Sequence, residues 1–353
     1  MILSSIKNNK DWIDIINKFP EKLQDIYYHP DYINMNCLKN DSEGYMFVNQ
    51  NNNEIWAYPF IKIKIPDFEI NLKDKIYYDL ETPYGYGGPI SNSQNKKFIK
   101  ESNDKFYQWM KKNNIIAEFF RFHPLLKNLD LVDNSIEIIE NRKTCSIKLD
   151  NLEENDLFYT PKVNNMIRRA ENSNVISFIS KDKKDFLDFK KIYEDLMKLK
   201  NADKDLFFSD NYFEKLFQLI KKNGFLSVIK NDKSQFLAAA VFLFSKKMCH
   251  YHLSATNHKY NYPGINNLLI HKAALNAKNM KIDILHLGGG NTNLDKDSLF
   301  LFKESMSNLK HLFHIGKRIN NIGVYKKIKE KWKKQNPELE KKYSYRLLCY
   351  HAR

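Results

Sequence analysis

Lys303 directly follows Phe302, a short way past the three consecutive glycines Gly288, Gly289 and Gly290. A glycine run costs backbone entropy inside any element, so it belongs where main chain must approach something closely or take a positive φ. A lysine beside a phenylalanine, near such a turn, puts a positive charge against a flat apolar wall. That suits a ligand carrying charge or developing it during a reaction. The plainer alternative is a lysine whose stem lies along apolar surface while its head reaches water.

Other residues offer chemistry of their own. Arg168 and Arg169 are adjacent on a short predicted helix, and a guanidinium pair suits a diphosphate because each planar fork binds phosphate oxygens. The competing reading is a solvated helix face. His252 sits beside Tyr251 on a predicted strand and could accept or relay a proton, although a strand histidine is also a common satisfied core residue. Asp79 and Glu81 lead into the segment 82–89, which is rich in Gly, Pro and Tyr and includes Tyr84 and Tyr86. As a turn, that segment needs its tyrosines only for packing.

The elements that must position these groups follow from periodicity and punctuation. In the first part, 11–19 and 98–111 have helical spacing, while 45–48, 54–65, 76–80, 115–122 and 143–149 read as strands. Asp150 and Asn151 begin a polar break, taken as the domain boundary. Beyond it, 161–172, 185–198, 211–221 and 264–277 read as helices. The runs 225–229, 235–244 and 248–254 read as an antiparallel meander, and 282–287 as a further strand. The expected class is α/β (α+β), with mixed central sheets flanked by helices. The tail 325–342 holds eight Lys and three Glu, which reads as an amphipathic helix broken near Pro337. The apolar segment 345–350 is expected to return to a sheet as a final strand.

Composition bounds the partners. With 353 residues, 42% hydrophobic and 14% aromatic, two domains with substantial cores are expected. The longest apolar run, 236–244, is far too short for a membrane span, and the first residues show no secretory pattern. Peripheral membrane contact stays compatible with the sequence. Cys37, Cys145, Cys249 and Cys349 are widely spaced, with no metal-type pairing, and read as reduced thiols in a cytoplasmic protein. No metal site is expected. The net charge of +15 admits an anionic partner such as RNA, a nucleotide-linked substrate or a membrane surface. An AT-rich genome also raises lysine content, so charge alone names no partner.

The meander, the helix opened by a Gly turn and the Gly-Gly-Gly strand end resemble the GNAT acyltransferase superfamily. More closely, the chain resembles the Fem-type aminoacyltransferases and their relatives in surface-polysaccharide and peptidoglycan-bridge synthesis. Further pieces of that resemblance are Asp79 to Pro89, Arg121-Phe122-His123-Pro124, Asn165 to Ala170, and Tyr251-His252-Leu253-Ser254. The resemblance implies two tandem GNAT-like domains: 1–150, completed by 335–353, and 151–334, which carries the donor site. No long heptad run marks a coiled-coil arm.

The resemblance also implies N-acyl transfer. That reaction needs a deprotonated amine, an activated carbonyl and donors for the developing oxyanion. On that basis Lys303 supports oxyanion or phosphate charge, Phe302 shapes the carbonyl's surroundings, and Gly289 belongs to the donor cleft. Tyr84 and Tyr86 would line the acceptor site, with Asp79 or Glu81 as general base and His252 as a proton relay beside Tyr251. Arg168 and Arg169 would lie near the acceptor's phosphates. Acyl-CoA enzymes of the superfamily hold pyrophosphate on a Gly-rich loop at a helix N-terminus. Here that stretch is 261–266, in which Gly264 is kept but the last position is Asn266.

The expected activity is therefore transfer of an acyl or aminoacyl group to an amine of a cell-envelope precursor, either a nucleotide-linked amino sugar or a muropeptide. The co-substrate would be acyl-CoA or aminoacyl-tRNA, with no tightly bound cofactor and with tRNA as a potential partner. The alternative is a non-catalytic GNAT-fold protein that binds an envelope precursor or RNA.

Overall fold

The computed structural model describes residues 1–352 apart from 40, 69–74, 151, 153–158 and 295, and apart from the side chain of 205. The chain begins β1 (Ile2–Ser4), α1 (Asn9–Asn17), α2 (Pro30–Met35), β2 (Ser42–Asn51), β3 (Glu54–Lys64), β4 (Tyr78–Glu81) and β5 (Ile90–Ser91). It continues α3 (Lys96–Lys112), β6 (Ile115–Arg121), β7 (Glu137–Lys148), α4 (Pro161–Glu171), β8 (Val175–Ser180), α5 (Lys183–Leu199) and α6 (Asp210–Asn223). Next come β9 (Gly224–Asn231), β10 (Phe236–Phe244), β11 (Met248–Thr256), α7 (Ile265–Asn279) and β12 (Ile284–Gly289). Last are α8 (Ser298–Ser305), β13 (Leu309–Ile319), α9 (Ile322–Gln335) and α10 (Pro337–Tyr343). Local chemistry sets several helix starts. Thr160, Asp182, Ser209 and Asp297 each accept a first-turn backbone N–H, and Pro161 and Pro337 open helices where a missing N–H costs nothing.

The chain divides into two compact units, 1–23 with 27–141 and 313–353, and 24–26 with 142–312. In the first unit the strand order is β1-β2-β3-β4-β6-β13, with β5 beside β3. Every pairing is antiparallel except β4 with β6, which run parallel and are separated in the chain by α3. In the second unit the order is β8-β9-β10-β11-β12-β7. Again one pair is parallel, β11 with β12, and α7 lies between them in the chain. A parallel pair requires a crossover, and a helix supplies it both times. The two units thus repeat one pattern, as two tandem GNAT-like domains with mixed sheets and flanking helices.

The closing strands are exchanged. β7 follows β6 in the chain but pairs with β12, whereas β13 follows β12 but pairs with β6. The strand that returns to the first unit is therefore β13, and the expected strand at 345–350 is not one. Those residues form turns and a short 3-10 helix at Cys349–His351. Their apolar side chains instead join Tyr325, Ile328 and Trp332 of α9 in a buried cluster, and the Tyr325 hydroxyl donates to the Leu347 carbonyl at 2.8 Å. The basic tail is helical as expected, divided at Asn336 and Pro337 into α9 and α10. The polar break expected at 150–151 runs into residues 151 and 153–158, outside those described. No helix among the described residues is long and apolar enough to cross a membrane.

The second unit's core is built by Ala238, Ala240 and Phe242 of β10, Leu285 and Leu287 of β12, and the apolar residues of α4 and α7. In the first unit β13 is secured to β6 by charge as well as backbone. Arg318 Nε donates to Glu118 Oε2 at 3.0 Å, and its Nη1 donates to Asp133 Oδ2 at 2.9 Å. Glu118 is fully buried, and that burial raises its pKa although Arg318 opposes the rise. Arg318→Met would leave a buried carboxylate without its cation. We expect a loss of about 3–5 kcal/mol at pH 8, smaller at pH 5 because protonating Glu118 relieves the charge. Urea unfolding at both pH values checks this, and a pH-independent loss would contradict it.

Candidate active site

The Phe-Lys pair lies on α8, just past the end of β12. Asp297 caps the helix by accepting the Phe300 N–H at 2.9 Å. Phe302 packs partly buried against the core, with its carbonyl bonded by the Ser305 hydroxyl. Lys303 points inward and is 8% exposed. Its Nζ donates to the Gly289 carbonyl at 2.9 Å and lies 5.4 Å from the centre of the Tyr251 ring. The ring face and the carbonyl oxygen both present negative potential to the ammonium.

The glycine run explains how the carbonyl reaches Lys303. Gly288 has φ +77°, beside a bulge where Gly288 pairs with Cys145 after His286 pairs with Ser146. A Cβ on Gly290 would stand 2.3 Å from Asp297 Oδ1, so only glycine lets the strand end close onto the capping carboxylate. Arg142 on β7 completes the corner by donating Nη1 to the Gly290 carbonyl at 2.8 Å.

Burial lowers the Lys303 pKa to about 8; the Asp297 carboxylate opposes that shift and Arg142 adds to it. Burial in turn pushes the Cys145 thiol up to about 11, which leaves it protonated and unreactive at neutral pH. Tyr251 is likewise raised by burial, to about 12. Lys303 is therefore the group here that titrates near neutrality, flanked by a neutral thiol and a neutral phenol.

His252 goes elsewhere. Alternation along β11 sends Tyr251 towards α8 and its neighbour His252 to the opposite face of the strand. There His252 Nε2 bonds the Tyr212 hydroxyl of α6 at 2.7 Å. Burial, reinforced by His250, depresses its pKa to about 3, so the ring is neutral and weakly basic.

At the N-terminus of α7, Gly264 has φ +84°, and a Cβ there would lie 2.0 Å from the Met166 carbonyl of α4. The glycine thus serves the close packing of two helices. Asn266 is pinned to β11, its Oδ1 accepting from the Thr256 hydroxyl at 2.9 Å. Arg168 and Arg169 are exposed in the last turn of α4, where cations also favour the helix C-terminus.

The two carboxylates belong to the first unit, as do Tyr84 and Tyr86. Asp79 is fully buried, accepting from the Ala117 N–H at 3.0 Å and contacting His351 Nε2 at 2.8 Å. Burial raises the Glu81 pKa, but Lys39 at 2.7 Å and Arg121 at 3.7 Å outweigh it and hold the carboxyl below its usual range. Both carboxylates are engaged in structural contacts. Tyr86 sits edge-on to Tyr27 and Phe313 in an aromatic cluster, whereas Tyr84 keeps 37% of its surface exposed.

Residues 161–296 match the family model of the GNAT acetyltransferase domain. Residues 161–296 are thus a GNAT domain. The chain as a whole shares its fold with solved structures. FemX matches with a TM-score of 0.72 at 13% identity, covering 93% of this chain and 99% of FemX. The C-terminal domain ascribed to a lysylphosphatidylglycerol synthetase of Agrobacterium fabrum matches at 0.58 and 10% identity, covering 91% and 93% of the two chains. L-PGS from Bacillus licheniformis matches at 0.52 and 13% identity, over 80% of this chain and 86% of that one. A comparison with curated protein sequences finds no match. The fold is Fem-like, and the matched domain is that of an acyltransferase.

The sequence signals behind Arg142 were weak, since a lone arginine on a strand has no motif. Its link to the glycine corner spans 148 residues. Lys303 carries a stability consequence of its own. Its folded pKa near 8 lies below the ordinary 10.5, so below pH 8 the native state bears the cost of a buried charge, and that cost fades as pH rises from 8 to 10.5. Lys303→Met should therefore stabilise the protein at pH 7, on the order of 1–3 kcal/mol, with the gain shrinking towards pH 10. Denaturant melts across that range test it; a Met variant less stable than the parent at pH 7 would count against the buried cation.

Proposed function

We propose that this GNAT chain transfers an acyl or aminoacyl group to an amine of a cell-envelope precursor, with Lys303 steadying negative charge on the donor carbonyl oxygen. The observation that carries the reading is the Lys303 ammonium, buried on α8 between the Gly289 carbonyl and the Tyr251 ring. An ammonium in low dielectric, already held by the protein, stabilises developing charge with little reorganisation. Phe302 and Tyr251 supply apolar and aromatic wall around it. In this reading the compact units are the two domains, and the second carries the donor site.

The donor is an aminoacyl-tRNA or an acyl-CoA. The Fem-like fold and the likeness to an enzyme named for lysylphosphatidylglycerol support the aminoacyl donor. So does the helix start at Gly264, where the glycine is used for packing against Met166 and Asn266 is tied to Thr256. Arg168 and Arg169, both exposed, remain suited to phosphates of either donor or acceptor. Tyr84, exposed on its loop, is retained as an acceptor contact. The acceptor is a nucleotide-linked amino sugar or a muropeptide, and the working compartment is the cytoplasm.

Charge support by Lys303 requires its proton. Transfer should therefore fall as pH rises through about 8. The purified protein should be assayed with radiolabelled aminoacyl-tRNA and acetyl-CoA against UDP-linked amino sugars and muropeptides. Lys303→Met is expected to lower kcat about 100-fold or more, in line with loss of an oxyanion donor. Activity that instead rises through pH 8 would make Lys303 a base, and a fully active Lys303→Met would remove it from the site. Tight binding of a precursor with no turnover from either donor would favour the non-catalytic alternative.

A further inference from the structure

We propose that Arg142 is a positioning residue for Lys303, holding the strand end whose Gly289 carbonyl accepts the Lys303 ammonium and thereby setting that group's place and proton. The proposal rests on Lys303 being the charged member of the transfer site, but its first test requires no turnover.

Arg142 Nη1 donates to the Gly290 carbonyl at 2.8 Å and to the Asn291 carbonyl at 3.2 Å. These residues immediately follow Gly289. From the other side Asp297 Oδ2 accepts the N–H groups of Asn291 at 3.0 Å and Thr292 at 2.9 Å, together with the Thr292 hydroxyl at 3.0 Å. Its Oδ1 caps α8, the helix that carries Lys303. One cation on the carbonyls and one carboxylate on the amides therefore fix the strand end relative to the helix. Without them the Gly289–Lys303 contact would depend on a glycine corner that is free to move.

The same arrangement places charge. The groups facing Lys303 are Arg142 and Cys145 of β7, Asp297 at the head of α8, and Tyr251 of β11. Glu304, next along α8, is paired with Lys310. Asp297 draws a proton onto Lys303 and Arg142 opposes it, while the thiol and phenol stay neutral. An arginine keeps its charge throughout the working range, so its effect on Lys303 does not vary with pH. Tied to two carbonyls, it cannot swing away to relieve the repulsion.

The test is an NMR titration of protein carrying lysine labelled with 13C at Cε, with the Lys303 signal assigned by its loss in Lys303→Arg. The parent should titrate near pH 8. Arg142→Met should move the midpoint upward by about half a unit or more, as expected for removal of a nearby cation. Arg142→Lys, which restores both charge and donor, should return it to within about 0.2 units of the parent. A midpoint unchanged in Arg142→Met, or shifted equally in both variants, would overturn the proposal. The alkaline limb of transfer activity should follow the midpoint in each variant. If the midpoints move as stated while the parent transfers nothing, the positioning role stands and the transfer reading fails.

Discussion

A lysine turned into a protein core, with its hydrogen bond given to a main-chain carbonyl, is the constraint around which the second unit is arranged. The energetic pressure on such a group is to lose its proton or to reach water. Here Tyr251 covers one side, the bulged end of β12 offers the Gly289 carbonyl, and Asp297 caps the helix that carries the lysine. The Gly288–Gly290 corner, the Asp297 cap and the Arg142 brace all converge on that point. Burial brings the pKa down to about 8, which leaves the group largely charged at neutral pH.

Much of this was legible in the sequence. The glycine run followed by Phe302 and Lys303 stood out because each residue type carries a physical cost that only a special site justifies. The meander was readable at 225–229, 235–244 and 248–254 from short apolar runs separated by polar breaks, and the amphipathic tail from its charge. Strand β13 was not, because Leu309–Ile319 interleaves Lys, His and Arg with its apolar residues and so lacks a clean period. Its missing signal let the apolar 345–350 segment look like the returning strand, when those side chains are used on α9. The identity of α8 was hidden for a related reason. Eight residues rich in Leu and Phe show no helical face, and the Asp297 cap was the only local sign of the helix.

The placement of candidate residues shows where motif reasoning ends. Tyr251 and His252 are neighbours in sequence, yet strand alternation gives one to α8 and the other to α6. Gly264 looked like half of a phosphate loop, but the Met166 carbonyl accounts for it without a ligand. Asp79 and Glu81 flank a loop suited to binding, yet their contacts with Ala117, His351, Lys39 and Arg121 are those of internal fasteners. Residue type and spacing identified groups with chemical potential, while three-dimensional partners determine which of them is free to use it.

The exchange of closing strands has a consequence for the order in which the protein can be completed. The first unit opens at the N-terminus, but its last strand begins at residue 309, and the cluster over Ile116 and Ala117 draws Tyr325 to Tyr350 from beyond 320. Glu118 and Asp79 therefore leave the ribosome about 200 and 270 residues ahead of Arg318 and His351, the cation and the ring that meet them in the finished fold. The second unit, contiguous apart from 24–26, has all its strands once β12 has emerged. Synthesis thus delivers the half holding Lys303 as a complete sheet while the half made first still waits for its closing strand.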